Sequence, residues 1–415
     1  MSRQRSTVAR HARLRSPHPA KQALKLVAVA AVVALVAVAG VASYVIYDLS
    51  NTVTSKAVAL EDEVVQPPTM GAFEGDFSVL IVGTDECEEE LQAALGDRCT
   101  GADSEGQLND VNMLMHVSEN PRRVSVVSFP RDLMVAVPSC TREDGSTTSA
   151  MSKQPLNSVF SVGGLGCVAS TISALTDFDI PFAAKVSFGG VVNITDAIGG
   201  VEVCIGNNGI RDYYTGIDWE AGMRQVQGLD ALQFLRTRHG VGDESDLARI
   251  GNQQQYMSRL AHKLRSDEVL ADAGALYRLA NAAVTNITPS ESLTNPLRLV
   301  QLALAVKDVP FEDITFVQYP VVDDSENSNK VAPDFASAEV LMTAIAENKS
   351  LELNGKAGSN GGVIEVTPTD EPAEPAPEEP TDAASDAPAD ETVALPGNVN
   401  GTSADQETCS AGNGR

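Results

Sequence analysis

Residues 229–255, LDALQFLRTRHGVGDESDLARIGNQQQ, bring three arginines, an aspartate and an amide into one short segment. Arg236 and Arg238 sit two apart. Asp246, Arg249 and Gln253 follow at spacings of three and four, which places them on one face of a helix. Guanidiniums directed at one place repel each other unless something anionic lies between them. Arginine's planar fork matches phosphate oxygens, and its charge does not titrate away. The chemistry this spacing suits is the holding of a phosphate or pyrophosphate. The competing reading is an amphipathic helix whose Arg and Asp pair on a solvated face.

Three other places carry polar groups beside apolar runs. Gly83-Thr84-Asp85 closes the first, Asn109-Asp110 precedes the second, and Phe129-Pro130-Arg131-Asp132 closes the third. A carboxylate at a strand end in an α/β domain can face a ligand crevice. Asp85 and Asp110 together with a pyrophosphate would give a hard, all-oxygen set suited to Mg²⁺, with Mn²⁺ as its substitute. Turn or cap roles are the alternative for both aspartates. For Arg131 the alternative is an ion pair with Asp132 or a helix terminus, and for Asn157, after Pro155, it is a helix N-cap. His239 beside the arginines reads as a substrate contact or a packed ring, not a metal ligand.

The elements that would position these residues are legible from pattern. FSVLIVG (77–83), VNMLMHVS (111–118), RVSVVSFP (123–130), AAKVSF (183–188), VEVCI (201–205) and ITFVQYP (314–320) are short apolar, β-branched runs that predict buried strands. Glu119-Asn120-Pro121 predicts a hairpin turn between the second and third. Residues 155–178 predict helix broken at Gly163-Gly164, and 189–200 a short helix with a glycine stop. Helices are also predicted over 228–235, 246–264 with Ser245 as N-cap, and 290–307. Strands alternating with helices predict an α/β fold, and the hairpin makes its central sheet mixed.

Residues 26–46 are almost wholly Ala and Val without charge, enough to span about 30 Å of hydrocarbon at about 1.5 Å per residue. Seven basic residues and no acidic one precede them, so the positive-inside rule keeps 1–25 in the cytoplasm and exports the rest. A cleaved signal peptide, with Ala37-Val38-Ala39 at its end, is the competing reading. The chain has 30 basic and 56 acidic residues; beyond the span 23 basic face 56 acidic, a net of −33. So acidic an exterior excludes nucleic acid as a partner. A stalk is expected over 47–75, one domain over 76–355, and a disordered, acidic, Pro-rich tail over 356–415. All six cysteines lie on the exported side, where disulfides persist. Cys87 and Cys99 flank one acidic loop, and Cys140 can pair with Cys167 or Cys204.

Taken together, VLIVGTD, NDVNMLMHV, VSFPRDL, PLNSVFSVGG, FGGVVNITDAIGGVEV and LQFLRTRHGVGDESDLARIGNQQQ, in that order, resemble the LytR-CpsA-Psr family. The likeness covers about Phe77 to Leu264, and GGLGC, VEVC and RTRHGVG resemble its actinobacterial members. The resemblance implies an α-β-α sandwich with a central mixed sheet and an apolar pocket for a lipid chain, behind one transmembrane helix of a single-pass cell-membrane protein. It implies a phosphotransferase that moves a glycopolymer from a polyprenyl-pyrophosphate carrier onto a peptidoglycan sugar hydroxyl, making a phosphodiester. By position it assigns Mg²⁺ to Asp85 and Asp110, and pyrophosphate to Arg131, Arg236, Arg238, Arg249, Gln253 and Asn157. Arg131, Asp246 and Arg249 would be catalytic, with Asp246 orienting the arginines. The chain departs from the family where many relatives have Arg-Ser-Asp and it has Leu108-Asn109-Asp110. It departs again where they have a Lys and it has Pro155, with Lys153 nearby. A polyprenyl-pyrophosphate phosphatase and a non-enzymatic envelope scaffold or regulator are the other readings. The glycopolymer, lipid length, acceptor sugar and general base are not legible; Asp132 and Asp246 are the candidates for the base.

Overall fold

Alternate residues of FSVLIVGT bury on opposite sides of a sheet: Leu80 and Val82 enter one core, Phe77 and Val79 another. Double burial explains why the segment reads as an unbroken apolar run, and it forms a central strand, β1 (Phe77–Thr84). The computed structural model describes chiefly residues 54–61, 71–86, 107–366 and 391–413, less a few positions within those ranges. The expected cytoplasmic tail (1–25) and transmembrane segment (26–46) lie outside the described residues. The sheets and their covering helices belong to one compact unit within Thr52–Arg415.

β2 (Asn109–Val117) and β3 (Val124–Phe129) continue from β1 as an antiparallel meander. The expected hairpin turn is closed by Ser118 N donating to Arg123 O at 3.0 Å. A side hairpin, β4 (Met134–Val137) and β5 (Met151–Pro155), leads to helix α1 (Val159–Thr176). α1 kinks where expected: Gly163 and Gly164 leave helical dihedrals, Gly164 at φ 69°. A Cβ on Gly163 would lie 2.7 Å from that of Cys167. Cys167 is bonded to Cys140, so of the two partners open in sequence Cys140 takes Cys167.

β6 (Phe182–Ser187) pairs parallel with β1 and runs straight into α2 (Phe188–Ala197), which ends at Gly199 and Gly200, both at positive φ. β7 (Val201–Ile205) and β10 (Gly222–Val226) pair antiparallel around the hairpin β8 (Ile210–Asp212) and β9 (Ile217–Trp219). Helices α3 (Gly228–Arg236) and α4 (Asp246–Leu264) follow. Then come α5 (Ala273–Asn286), β11 (Ile287–Pro289), α6 (Pro296–Val306) and β12 (Ile314–Gln318). The hairpin β13 (Val321–Asp323) and β14 (Val331–Pro333) precedes α7 (Phe335–Ala346). Five short strands end the chain: β15 (Ser350–Glu352), β16 (Val363–Glu365), β17 (Thr392–Ala394), β18 (Gly401–Ser403) and β19 (Thr408–Ser410).

The main sheet has seven strands in the order β11-β6-β1-β2-β3-β12-β18. The β1–β6 and β3–β12 pairs are parallel and the others antiparallel, so the sheet is mixed as expected. One face packs on α1 and α7 through Val168, Ile172, Leu341 and Ile345. The other packs on α6 and on Met257 of α4. A separate core joins α3 and α4 to β7–β10 through Val203, Ile210, Trp219, Phe234 and Tyr256.

Two boundaries read from composition are corrected. The described part of the expected stalk (47–75) docks on the domain: Val58 N donates to Pro289 O at 3.0 Å, and Phe73 stacks edge-on against Phe77 and Phe182. Within the tail expected to be disordered over 356–415, the described residues 363–366 and 391–413 are folded. β18 adds a strand to the main sheet beside β12, β19 pairs with β16, and Cys409 is bonded to Cys204. Acidic composition hid this because the segment is stabilised by pairing with distant strands and by a cross-link. Residues 367–390 of that tail lie outside the described residues.

Candidate active site

Ser245 caps α4, its side chain accepting from Ala248 N at 3.2 Å, and so fixes where Asp246 and Arg249 begin their helical face. That face is buried. Arg249 is 6% and Asp246 9% exposed, which removes the reading of a solvated salt-bridge face. Polar residues on it are spent on backbone: Asn252 Nδ2 donates to Phe234 O at 2.8 Å and Gln253 Nε2 to Leu235 O at 3.0 Å. These two bonds tie the second and third turns of α4 to the last turn of α3, the helix that delivers Arg236.

Arg131 follows β3 and reaches across to the same face. Its Nη1 lies 3.0 Å from Asp110 Oδ1, and its Nε 3.5 Å from Asp132 and 3.6 Å from Asp246. Its backbone amide donates to Asp246 Oδ2 at 3.3 Å. Burial works against the Arg131 charge, but Asp110, Asp246 and Asp132 outweigh it and raise its pKa. Arg249 Nη2 donates to Asp110 O at 2.9 Å and lies 2.7 Å from Asp246 Oδ1. That last contact is one of charge and is not aligned as a hydrogen bond, since Asp246 Oδ1 has no hydrogen-bond partner among the described residues. The Nε donors of Arg131 and Arg249 are likewise buried without a hydrogen-bond partner among those residues. Such a group carries a desolvation cost that an entering anion can relieve.

Asp110, Arg131, Asp246 and Arg249 are thus brought into direct contact. Asn157 adjoins them through its backbone, its amide donating to Arg131 O at 2.9 Å; Ser158, not Asn157, stands at the N-cap position of the helix that follows, without a side-chain capping bond. Asp110 is the second residue of β2, inside the strand instead of before it. Asp85 is 3% exposed just past β1, and its Oδ1 accepts from Leu108 N at 2.7 Å. Asp85 therefore stands two chain positions from Asp110 across that bond. Arg236 lays its guanidinium over the Phe188 ring at 4.8 Å. Arg238 Nη2 lies 3.4 Å from His239 Nε2. Lys153 is occupied elsewhere, 2.8 Å from Asp324 and 2.6 Å from Glu326. Among the described residues no three of His, Cys, Asp or Glu gather into a group able to hold a metal.

Beside this cluster an apolar cavity of about 200 Å³ opens between the sheet and helices α2, α3 and α4. Its wall includes Ile81, Met113, Ile194, Leu232, Met257 and Leu260. Asp110, Arg236, Arg249 and Gln253 line it too, so one cavity joins an apolar wall to the charged cluster.

Comparison with known proteins places this arrangement. A model of the LytR_cpsA_psr family matches residues 43–347. The chain belongs to that family. It is similar to the cell wall biosynthesis protein LcpA of Corynebacterium glutamicum, 26% identical over 60% of this chain and 51% of that protein. It is similar also to the polyisoprenyl-teichoic acid–peptidoglycan teichoic acid transferase TagU of Enterococcus faecalis, 23% identical over 46% of this chain and 54% of that one. The match spans about half the length of each relative. The fold resembles that of protein gbs0355 from Streptococcus agalactiae, with a TM-score of 0.53 at 16% identity, covering 66% of this chain and 87% of that one.

In this family member two groups that hold candidate site residues were not singled out from sequence. Lys330, from β14's edge, pairs with Asp132. Asp212, 1% exposed at the end of β8, takes its Oδ2 to Thr237 Oγ1 at 2.7 Å, Arg238 N at 3.0 Å and His239 N at 3.1 Å. Burial pushes the Asp212 pKa up, but the bonds from Thr237 and from the amides of Arg238, Tyr214 and Thr215 outweigh it and hold it below the usual carboxylate value. The signal for Asp212 was present in Asp-Tyr-Tyr-Thr-Gly, a turn composition between two β-branched runs.

Proposed function

We propose that this chain transfers a glycopolymer from a polyprenyl-pyrophosphate carrier to a hydroxyl of a peptidoglycan sugar. The observation that carries the reading is the single cavity in which an apolar wall meets Arg236 and Arg249. A prenyl chain and a pyrophosphate are one molecule with those two characters. The names of the relatives agree: one is a cell wall biosynthesis protein and another a teichoic acid–peptidoglycan transferase.

On this reading the prenyl chain lies against Ile194, Met257 and Leu260, and the pyrophosphate meets Arg131, Arg236, Arg238 and Arg249, with Gln253 and Asn157 beside it. The acceptor oxygen attacks the phosphorus that carries the glycan. The bond from that phosphorus to the bridging oxygen breaks, polyprenyl phosphate leaves, and the hydroxyl proton passes to a base or to solvent. Phosphoryl transfer asks the protein chiefly for position and charge neutralisation. The buried Nε donors of Arg131 and Arg249 supply both, and Asp246 orients the two guanidiniums. Neither candidate base is unpaired: Asp132 faces Lys330 and Arg131, and Asp246 faces Arg249.

Asp85 and Asp110 fit a divalent cation by donor chemistry. Asp85 Oδ1 accepts from Leu108 N, and Asp110 Oδ1 from Arg131 Nη1. A carboxylate has about four lone-pair sites, and Mg²⁺ takes one or two carboxylates with substrate phosphate and water. Bound there, Mg²⁺ or Mn²⁺ would neutralise charge on the phosphates.

The test is release of polyprenyl phosphate from a polyprenyl-pyrophosphate oligosaccharide by the detergent-solubilised chain, with peptidoglycan and Mg²⁺. Release with sugar appearing on peptidoglycan is the expected result. Release without transfer would make the protein a phosphatase, and binding without release would make it a scaffold.

A further inference from the structure

We propose that Tyr213 and Tyr214, at the tip of the β8–β9 hairpin, form a stacking platform for the acceptor glycan strand. The inference rests on the transferase reading, which requires a sugar polymer to approach the arginine cluster from outside the cavity.

The first observation is exposure. Tyr213 is 95% and Tyr214 76% exposed, and their centroids lie 6.0 Å apart with ring planes at 79°. Single exposed aromatics are ordinary; two at one hairpin tip, set nearly perpendicular, offer ring surface in two directions to whatever approaches from solvent. The second is connection to Arg238, two residues along the chain from the cavity-lining Arg236. The Tyr214 ring lies 4.6 Å from that of His239, and His239 Nε2 lies 3.4 Å from Arg238 Nη2. An unbroken line of side chains therefore runs from the tip to a guanidinium of the RTRHG segment. The third is rigidity. Asp212 Oδ1 accepts from Tyr214 N at 2.9 Å, while its Oδ2 holds the amides of Arg238 and His239. One buried carboxylate thus fixes the tip and the arginine segment as a single body, so a ligand on the rings is registered against Arg238.

The chemistry that suits such a tip is a pyranose strand. Its C–H faces pack on aromatic rings, and its hydroxyl and amide groups are met by polar neighbours. Arg211 and Asp218 on the same hairpin and Glu244 beside His239 supply those neighbours. The acceptor suits the place better than the donor. The donor is held by its prenyl chain in the cavity and its pyrophosphate at the arginines. Rings that project clear of the domain can reach a polymer fixed in the wall.

The test is co-sedimentation of the detergent-solubilised full chain with purified insoluble peptidoglycan, beside calorimetric binding of inorganic pyrophosphate. Tyr213→Ala/Tyr214→Ala should bind peptidoglycan about tenfold more weakly, two aromatic contacts having been lost, with pyrophosphate affinity unchanged. Tyr213→Phe/Tyr214→Phe should retain most of the binding, since the ring faces persist. Equal sedimentation of the Ala variant and the parent chain would overturn the platform. So would equal loss in the Phe and Ala variants, sedimentation of the parent no greater than of a control protein, or loss that appears instead in binding to anionic lipid vesicles. A parent chain that binds peptidoglycan but neither pyrophosphate nor polyprenyl pyrophosphate would overturn the transferase reading and leave the platform standing.

Discussion

Asp246→Asn should act in opposite directions on folding and on anion binding. Asp246 Oδ1 lies 2.7 Å from Arg249 Nη2 and 3.6 Å from Arg131 Nε, with all three side chains largely withdrawn from water. Breaking a buried pair from one side typically costs about 3–5 kcal/mol. Arg131 keeps Asp110 at 3.0 Å and Arg249 keeps the Asp110 carbonyl at 2.9 Å, so the lower end applies. The amide is nearly isosteric, and the lost first-turn acid of α4 adds about 0.3–1 kcal/mol. Pyrophosphate feels the reverse. A carboxylate about 5 Å from a phosphate oxygen opposes it by about 3 kcal/mol at an effective dielectric of about 20. With that carboxylate gone, inorganic pyrophosphate should bind at least about tenfold more tightly. Denaturant unfolding reads the first effect and calorimetry the second. If the variant loses stability and binds pyrophosphate more weakly, Asp246 matters as an aligner of guanidiniums more than as a competing anion. The charge-exchange argument would then be wrong.

Arg249→Ala should lower polyprenyl phosphate release about a hundredfold or more, and Arg249→Lys should recover only part of it, because Nη2 alone makes the contacts to Asp110 O and Asp246 and a lysine has no further nitrogen in place of the buried Nε. A lysine variant of full activity would refute the need for the fork. Ile194→Trp fills the cavity wall and should raise KM for long prenyl donors while leaving a short-chain analogue unaffected; equal effects on both would remove the lipid from the cavity. Cys204→Ser/Cys409→Ser removes a link between residues 205 apart and should lower unfolding stability by about 2–5 kcal/mol; an unchanged urea midpoint would show that the link constrains little. Burial holds the His116 ring below its usual pKa, against the opposing pull of Asp76. The unfolded chain takes up that proton first, so stability should fall as pH drops from about 6.5 toward the lower folded value. His116→Gln should flatten the slope of unfolding free energy between about pH 7 and 5, and an equally steep slope would refute it.

The central strands and α4 were legible because their causes are local. Double burial writes an unbroken apolar run over 77–83, and a serine before an acidic first turn marks the start of α4. The C-terminal strands were not, because β18 and β19 are three residues each and owe their place to β12, β16 and Cys204. Val393, Leu395 and Val399 do reach the core, but they are too few and too spread to show a period. At the site, residue types were legible and partners were not. The arginine spacing asked for an anion among the guanidiniums; for Arg249, joined by Arg131 from outside that segment, the fold provides two from the chain itself, Asp110 and Asp246, while Arg236 lies over Phe188 and Arg238 beside His239. Asp212 lies 26 residues from the Arg238 amide it holds, beyond the reach of any helical or strand period. The internal carboxylates change what the cluster means. Guanidiniums balanced by Asp110 and Asp246 can be buried before any ligand arrives, so the site is preorganised. Two buried Nε donors lack a hydrogen-bond partner among the described residues in that balance. A pyrophosphate that enters must therefore exchange with carboxylates for the guanidiniums while satisfying donors the carboxylates leave unmet. That exchange makes Asp246 the residue whose removal best separates a charge-balanced structural cluster from one built to take an anion.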